Sequence, residues 1–220
     1  MANETEIKLR IEDLQAFRRA LKELGARHVG RGGGRVHEQN VLFDTRDGEL
    51  GRREQLLRIR TDVAKADDRK RNGKARQRVT VTFKRPVAEQ GPGGNAERHK
   101  VREEIEAQVS DGEALTKVFE GLGMRAWFRY EKYRTTFRLP ESQRWAKDLL
   151  IELDETPIGT FVELEGPAKA IDRAAGALGF SKRDYIVTNY LVLYREECRR
   201  QGKEPGDMVF AKRKSARGAH

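Results

Sequence analysis

Apolar and charged residues alternate strictly through "ETEIKLRI" (4–11). Glu4, Glu6, Lys8 and Arg10 interleave with Thr5, Ile7, Leu9 and Ile11. A period of two predicts a β-strand with one charged face. The period then lengthens. In "DLQAFRRALKELG" (13–25), Asp13 is a candidate N-cap, Leu14, Phe17, Leu21 and Leu24 form one stripe, and Gly25 marks the stop, which predicts a helix. "GRGGGR" (30–35) reads as a loop and "VHEQNVLFDT" (36–45) as a strand running into a turn. "LLRIRT" (56–61) and "VTVTFK" (79–84) alternate again. The second half repeats the order loosely. It has a strand in "HKVREEIEAQV" (99–109), then a capped helix in "DGEALTKVFEGLG" (111–123) with Leu115, Val118, Phe119 and Leu122 inward. Strands near 126–138, 148–154 and 160–165 follow. A helix over 167–178 starts with Pro167 at its first position, and a last one covers 188–200. Each half therefore reads β-α-β-β-β. Eight strands are enough to close a barrel that holds one small ligand.

Composition changes this picture in one respect. Of 220 residues, 37% are hydrophobic and 36% charged, against a usual ~45–50% and ~25%. Charges lining an internal cavity would account for both departures. The net charge is +10, and residues 52–85 carry 13 Lys/Arg against 4 Asp/Glu. Such a balance fits anionic partners. The stretch 62–78 reads as a basic, flexible insertion at a hairpin tip, and 199–220 as a basic, floppy tail. The domain is expected to span 1–198. Cys198 is the sole cysteine, so neither an intramolecular disulfide nor a thiolate metal cluster is expected. No N-terminal apolar region is present and no run approaches the ~18 apolar residues of a membrane span. The expectation is a cytoplasmic protein with no membrane partner.

The polar strand faces carry the chemistry. They offer Glu4, Glu6 and Lys8; Arg58 and Arg60; Lys84; Arg102, Glu104 and Glu106; Lys132 and Arg134; Glu152 and Asp154; Glu163 and Glu165. Spacing of two puts each set on one side of a sheet, and a closed barrel makes those sides converge. Lys and Arg then suit phosphate groups, Arg as a two-pronged donor. Converging carboxylates suit a hard divalent ion, Mg²⁺ or Mn²⁺. A nucleic-acid groove would be basic with interleaved aromatics, and the carboxylates argue against one.

In order along the chain, Glu4-Glu6-Lys8, "LRIR", "TFK", "REEIE", "KYR", "ELD" and "ELEG" resemble the CYTH proteins, or triphosphate tunnel metalloenzymes, over about residues 3–195. That family includes class IV adenylyl cyclases, thiamine triphosphatases and inorganic tripolyphosphatases. The resemblance implies an α+β fold, an eight-stranded antiparallel β-barrel forming a tunnel with flanking helices. It implies a substrate triphosphate held by Lys8, Arg58, Arg60, Lys84, Arg102, Lys132 and Arg134. It also implies a Mg²⁺ or Mn²⁺ ion held by Glu4, Glu6, Glu163 and Glu165, with Asp154 near. Asp154 or Glu104 would accept the proton of an attacking water, and Lys8 would assist at the reacting phosphate.

The leading expectation is metal-dependent cleavage of a triphosphate, most simply hydrolysis of tripolyphosphate or an organic triphosphate such as thiamine triphosphate. One alternative is a class IV adenylyl cyclase acting on ATP. Another is a non-catalytic binder of polyphosphate or RNA. The substrate's identity and the oligomeric state are left open. Several features read as structural. "RGGGR" (31–35) lacks the ending of a phosphate loop. His28, His37, His99 and His220 show no ligand spacing and read as surface or loop residues. Trp127, Phe128, Tyr130 and Cys198 read as packing, and Glu152 is left outside the site.

Overall fold

The computed structural model describes residues 2–29, 34–64, 76–87 and 99–211. Among them nine strands form: β1 (Ala2–Arg10), β2 (Arg27–His28), β3 (Arg35–Thr45), β4 (Leu56–Ala64), β5 (Arg76–Pro86), β6 (Lys100–Val109), β7 (Met124–Arg138), β8 (Leu150–Thr156) and β9 (Gly159–Glu165). The helices are α1 (Leu14–Glu23), α2 (Glu49–Arg52), α3 (Gly112–Gly121), α4 (Ala168–Ala177) and α5 (Tyr190–Arg200). The strands run β7-β3-β4-β5-β6-β1-β9-β8, and β8 pairs back with β7. Eight antiparallel strands thus close into the expected barrel. The short β2 is an addition, paired with the end of β7.

Closure sorts the two faces of each strand. Ile7, Leu9, Ile151, Val162 and Leu164 point outward and are completely buried under α1 and α4, which bring Phe17, Leu21, Ile171 and Ala174. A second outer layer sets Phe43, Ile59 and Val79 against Leu115 and Phe119 of α3. Most apolar burial therefore lies outside the barrel wall; the interior holds the charged groups together with a smaller apolar cluster that includes Leu42, Phe128, Phe161 and Tyr190. The helix starts follow the predicted chemistry. Asp13 Oδ1 accepts from the N–H groups of Gln15 and Ala16 at 2.8 and 2.9 Å, and Asp111 does the same for α3; each cap contributes about 1 kcal/mol.

Several expectations are corrected. Val118 and Leu122 are 55% and 74% exposed, because α3 crosses the barrel on Leu115 and Phe119 only. Pro167 is the N-cap of α4 rather than its first helical residue. The hairpin strands reach further into 62–78 than predicted, to Ala64 and from Arg76; residues 65–75 lie outside the described residues, as do 31–33 of "RGGGR". His99 is buried, with Nε2 2.9 Å from Asp172 Oδ1.

The segment after α5 also differs from a floppy tail. Met208 is 1% exposed. Its N–H donates to the Arg129 carbonyl, and its own carbonyl accepts from the Glu131 N–H, both at 2.9 Å. These bonds use the edge of β7 that β8, paired only over Tyr133–Phe137, leaves free. Ile186 does the same for Lys8, by two 2.9 Å backbone bonds, on the β1 edge where β6 has ended. Backbone groups that would otherwise be unpaired at two seams are satisfied by one C-terminal strap. Residues 212–220 lie outside the described residues.

Candidate active site

The inward faces enclose a cavity of about 610 Å³, lined by Glu4, Glu6, Lys8, Arg58, Arg60, Lys84, Arg102, Glu104, Lys132, Arg134, Glu163 and Glu165, among others. All the predicted site residues line it except Asp154, which is completely buried behind it. Register explains the convergence. Across β1 and β9, Glu6 stands opposite Glu165 and Lys8 opposite Glu163; across β1 and β6, Glu4 stands opposite Arg102 and Glu6 opposite Lys100.

The cationic floor is built on Asp154. Its Oδ2 accepts from Lys132 Nζ at 2.8 Å, Arg134 Nη2 at 2.7 Å and the Tyr190 hydroxyl at 2.8 Å, and its Oδ1 accepts from Arg134 Nε at 2.7 Å. Asp154 thus accepts four hydrogen bonds and has no exposure, so a water proton has poor access to it. Arg134 also meets Glu152 and Glu163. Lys8 lies between Glu6 at 3.1 Å and Glu163 at 3.2 Å. Burial lowers the affinity of Lys8 for its proton, but the Glu163 and Glu6 carboxylates outweigh it and hold the ammonium form well beyond neutrality. The Glu6 carboxyl is likewise held far below its ordinary range by Lys8 and Lys100, against the penalty of burial.

The opposite wall is acidic and less compensated. Lys84 contacts Glu4 and lies 3.1 Å from Glu104. Burial, a hydrogen bond with Glu4 and the nearby Glu4 and Glu106 charges push the Glu104 carboxyl up to about 8. Glu165 is pushed up to about 7 by burial and by Glu4, and no ion pair among the described residues involves it. Arg58 donates to the Tyr130 hydroxyl at 3.3 Å and to Thr82 Oγ1 at 3.2 Å. Arg60 reaches Asp62 at 3.2 Å and Glu106 at 3.8 Å. Arg102 turns to the mouth and donates to the Glu54 carbonyl.

Of the residues expected to hold a metal, Glu4, Glu6 and Glu163 are thus engaged with residues expected to hold phosphate, while Glu165 is not. Among the described residues no three Asp, Glu, His or Cys side chains already converge as a metal cluster. The donor set nevertheless suits a hard divalent cation in kind, because Glu4, Glu6, Glu163 and Glu165 all present carboxylate oxygens to one cavity and Glu6 stands opposite Glu165 across β1 and β9.

Four site residues escaped the reading of the pattern. Glu38 is 4% exposed, lies near Lys132 and Arg134, and is held at about 2 by them against the cost of burial. In "VHEQN" both strand faces are polar, so alternation does not show which faces in. Glu152, which the sequence reading leaves outside the site, lines the cavity beside Arg134, and burial pushes it up to about 7. Lys100 lies 2.6 Å from Glu6; its parity with Arg102 was the available signal. Tyr190 comes from a helix, and nothing periodic marks it. Phe128 and Tyr130, read as packing, do pack with Phe161 and Tyr190, but Tyr130 also holds Arg58.

The interior of the closed antiparallel barrel thus sets a cluster of cations beside a ledge of carboxylates. The chain belongs to the CYTH domain family, whose model matches residues 2–178. The chain is 25% identical over 201 residues to "Putative adenylate cyclase MJ0240" of Methanocaldococcus jannaschii, covering 86% of this chain and 97% of that protein. The fold also matches a "putative adenylate cyclase" structure from Vibrio parahaemolyticus, at 16% identity and TM-score 0.63, over 85% of this chain and 94% of that one. It further matches HpAC1 from Hippeastrum, described as a putative adenylyl cyclase with a dominant triphosphatase activity, at 21% identity and TM-score 0.54, over 92% and 97%. No described helix is long and apolar enough to cross a membrane.

Proposed function

We propose that this protein is a divalent-metal-dependent enzyme that cleaves a triphosphate, most simply by hydrolysis of tripolyphosphate or an organic triphosphate. The observation that carries the reading is the convergence of Lys8, Arg58, Lys84, Lys132 and Arg134 on one cavity whose adjoining wall carries Glu4, Glu6 and Glu165. In the resting tunnel these opposite charges neutralise one another. A triphosphate would draw the lysines and arginines onto its oxygens and release the carboxylates to a divalent cation. Burial strengthens this exchange, since charges in a low-dielectric site interact more strongly than in open water. Glu4, Glu6, Glu165 and, once freed, Glu163 would hold Mg²⁺ or Mn²⁺; when bound, the ion offsets phosphate charge and acidifies a water. Lys8, Lys84, Lys132 and Arg134 orient the phosphate chain, and Arg58 and Arg60 reach its far end. Glu104, with its carboxyl near 8 and its side chain in the cavity, is better matched than Asp154, which is fully buried and outside the cavity lining, to take a proton at neutral pH. Asp154 instead anchors Lys132, Arg134 and Tyr190.

A second reading is a class IV adenylyl cyclase forming cAMP and pyrophosphate from ATP. The M. jannaschii relative's name points to it. So does an apolar part of the cavity lining, Leu42, Leu56, Trp127, Phe128 and Leu191, which an inorganic chain has no use for. Incubation with tripolyphosphate, thiamine triphosphate and ATP, each with Mg²⁺ or Mn²⁺, followed by resolution of orthophosphate, pyrophosphate and cAMP, separates the readings. Absence of every product refutes the enzyme reading.

A further inference from the structure

The tunnel lining includes side chains of α5, which belongs to neither strand nor loop of the barrel. Tyr190 opens α5, beyond residues 2–178 that the family matches. Its side chain is buried and lines the cavity. The hydroxyl donates to Asp154 Oδ2 at 2.8 Å. The ring lies 5.4 Å from Lys8 Nζ and 5.2 Å from Lys132 Nζ, and Phe161 meets it edge-on at 5.6 Å. Those two ammonium groups share Glu163, on Oε1 and Oε2 respectively. One aromatic ring therefore touches both lysines while its hydroxyl reaches the carboxylate that holds one of them.

The strap fixes this placement. Asn189 Oδ1 caps α5 by accepting from the Val192 N–H at 3.0 Å. The Tyr194 hydroxyl donates to the Asp207 carbonyl and accepts from the Gly206 N–H, each at 3.3 Å. Asp207 Oδ1 accepts from the Arg129 N–H at 2.7 Å. Ile186 on β1 and Met208 on β7 hold the two ends.

We propose that Tyr190 is a positioning residue for polyphosphate, its ring ordering Lys8 and Lys132 toward the tunnel and its hydroxyl fixing Asp154 beneath them. The C-terminal strap is then a part of the active site. The proposal rests on the triphosphate reading for its ligand, but the arrangement of the lysines does not depend on it. A cation over an aromatic face is held electrostatically, more strongly when both are desolvated, and two flexible lysines ordered before binding lose less freedom on binding.

The test uses the full chain as wild type, Tyr190→Phe and Tyr190→Leu, with folding checked by circular dichroism. Lysine footprinting by reductive methylation and mass spectrometry needs no ligand. Lys8 and Lys132 are expected to become more reactive in Tyr190→Leu, while the ring retained in Tyr190→Phe keeps them protected and Lys84 stays unchanged. Calorimetric titration with tripolyphosphate and Mg²⁺ is expected to show affinity weakened about tenfold in Tyr190→Leu and largely restored in Tyr190→Phe. The loss falls on KM more than on kcat. Folded Tyr190→Leu with a wild-type footprint overturns the proposal. So does equal loss of protection in the two variants. A changed footprint in a protein whose wild type binds no tripolyphosphate upholds the positioning and refutes the triphosphate reading alone.

Discussion

Replacing Asp154 with Asn discriminates the two roles open to this residue. The substitution preserves shape, removes one negative charge and turns one acceptor into a donor. Both carboxylate oxygens accept from Arg134, and Oδ2 also accepts from Lys132 and Tyr190. Whichever way the amide turns, its NH₂ faces a donor. Removing one partner of a buried ion pair costs about 3–5 kcal/mol, a large share of a typical ~5–15 kcal/mol stability. In a domain of this size each kcal/mol shifts Tm by about 2–4 °C, so a fall of roughly 6–20 °C is expected. Thermal unfolding followed by circular dichroism reads the shift, and phosphate release at varied tripolyphosphate reads KM and kcat. An anchor gives a large drop in Tm and a raised KM. A general base gives a collapse of kcat with Tm within about 2 °C, and that result would refute the placement of Asp154 as an anchor.

Glu165→Gln removes a crowded, unpaired carboxylate; the apo protein is expected to keep or slightly raise its Tm while Mn²⁺ affinity, measured by calorimetry in the presence of tripolyphosphate, falls at least about tenfold. Met208→Ala is expected to cost about 2–5 kcal/mol, since the side chain is 1% exposed among Leu42, Phe128, Tyr130 and Tyr190; an unchanged Tm would show that the strap is not docked. The pH dependence has a definite sign. Glu104 at about 8 and Glu152 and Glu165 at about 7 bind protons more tightly folded than unfolded, so their contribution to stability is present at low pH and is lost as pH rises toward 8. Glu6, Glu38 and Glu163 are depressed, so theirs is lost as pH falls below the ordinary carboxylate range. In chelator, Tm is therefore expected to be highest near pH 5 to 6 and to decline toward pH 8 (about one unit either way); a profile rising over that interval contradicts the crowded-carboxylate arrangement.

The sequence by itself determined the strands and most of what faces inward. A strand's period of two is a local property, so Glu4, Glu6 and Lys8 share a face before any partner is known, and so do Glu163 and Glu165. Counting such strands was enough to anticipate the barrel. Where both faces of a strand are polar, as around Glu38, the same rule loses its power. Where a residue arrives on a helix or a strap, as with Tyr190 and Met208, it does not apply. Only the tertiary structure decided the partners. Lys8 meets Glu163 because closure fixes the register of β1 against β9 across more than half the chain. Asp154 becomes an anchor because β7 and α5 bring three donors to it. Charge pairing, and the carboxyl shifts that follow from it, depends on distances of a few ångströms between segments far apart in sequence. No local period encodes those distances.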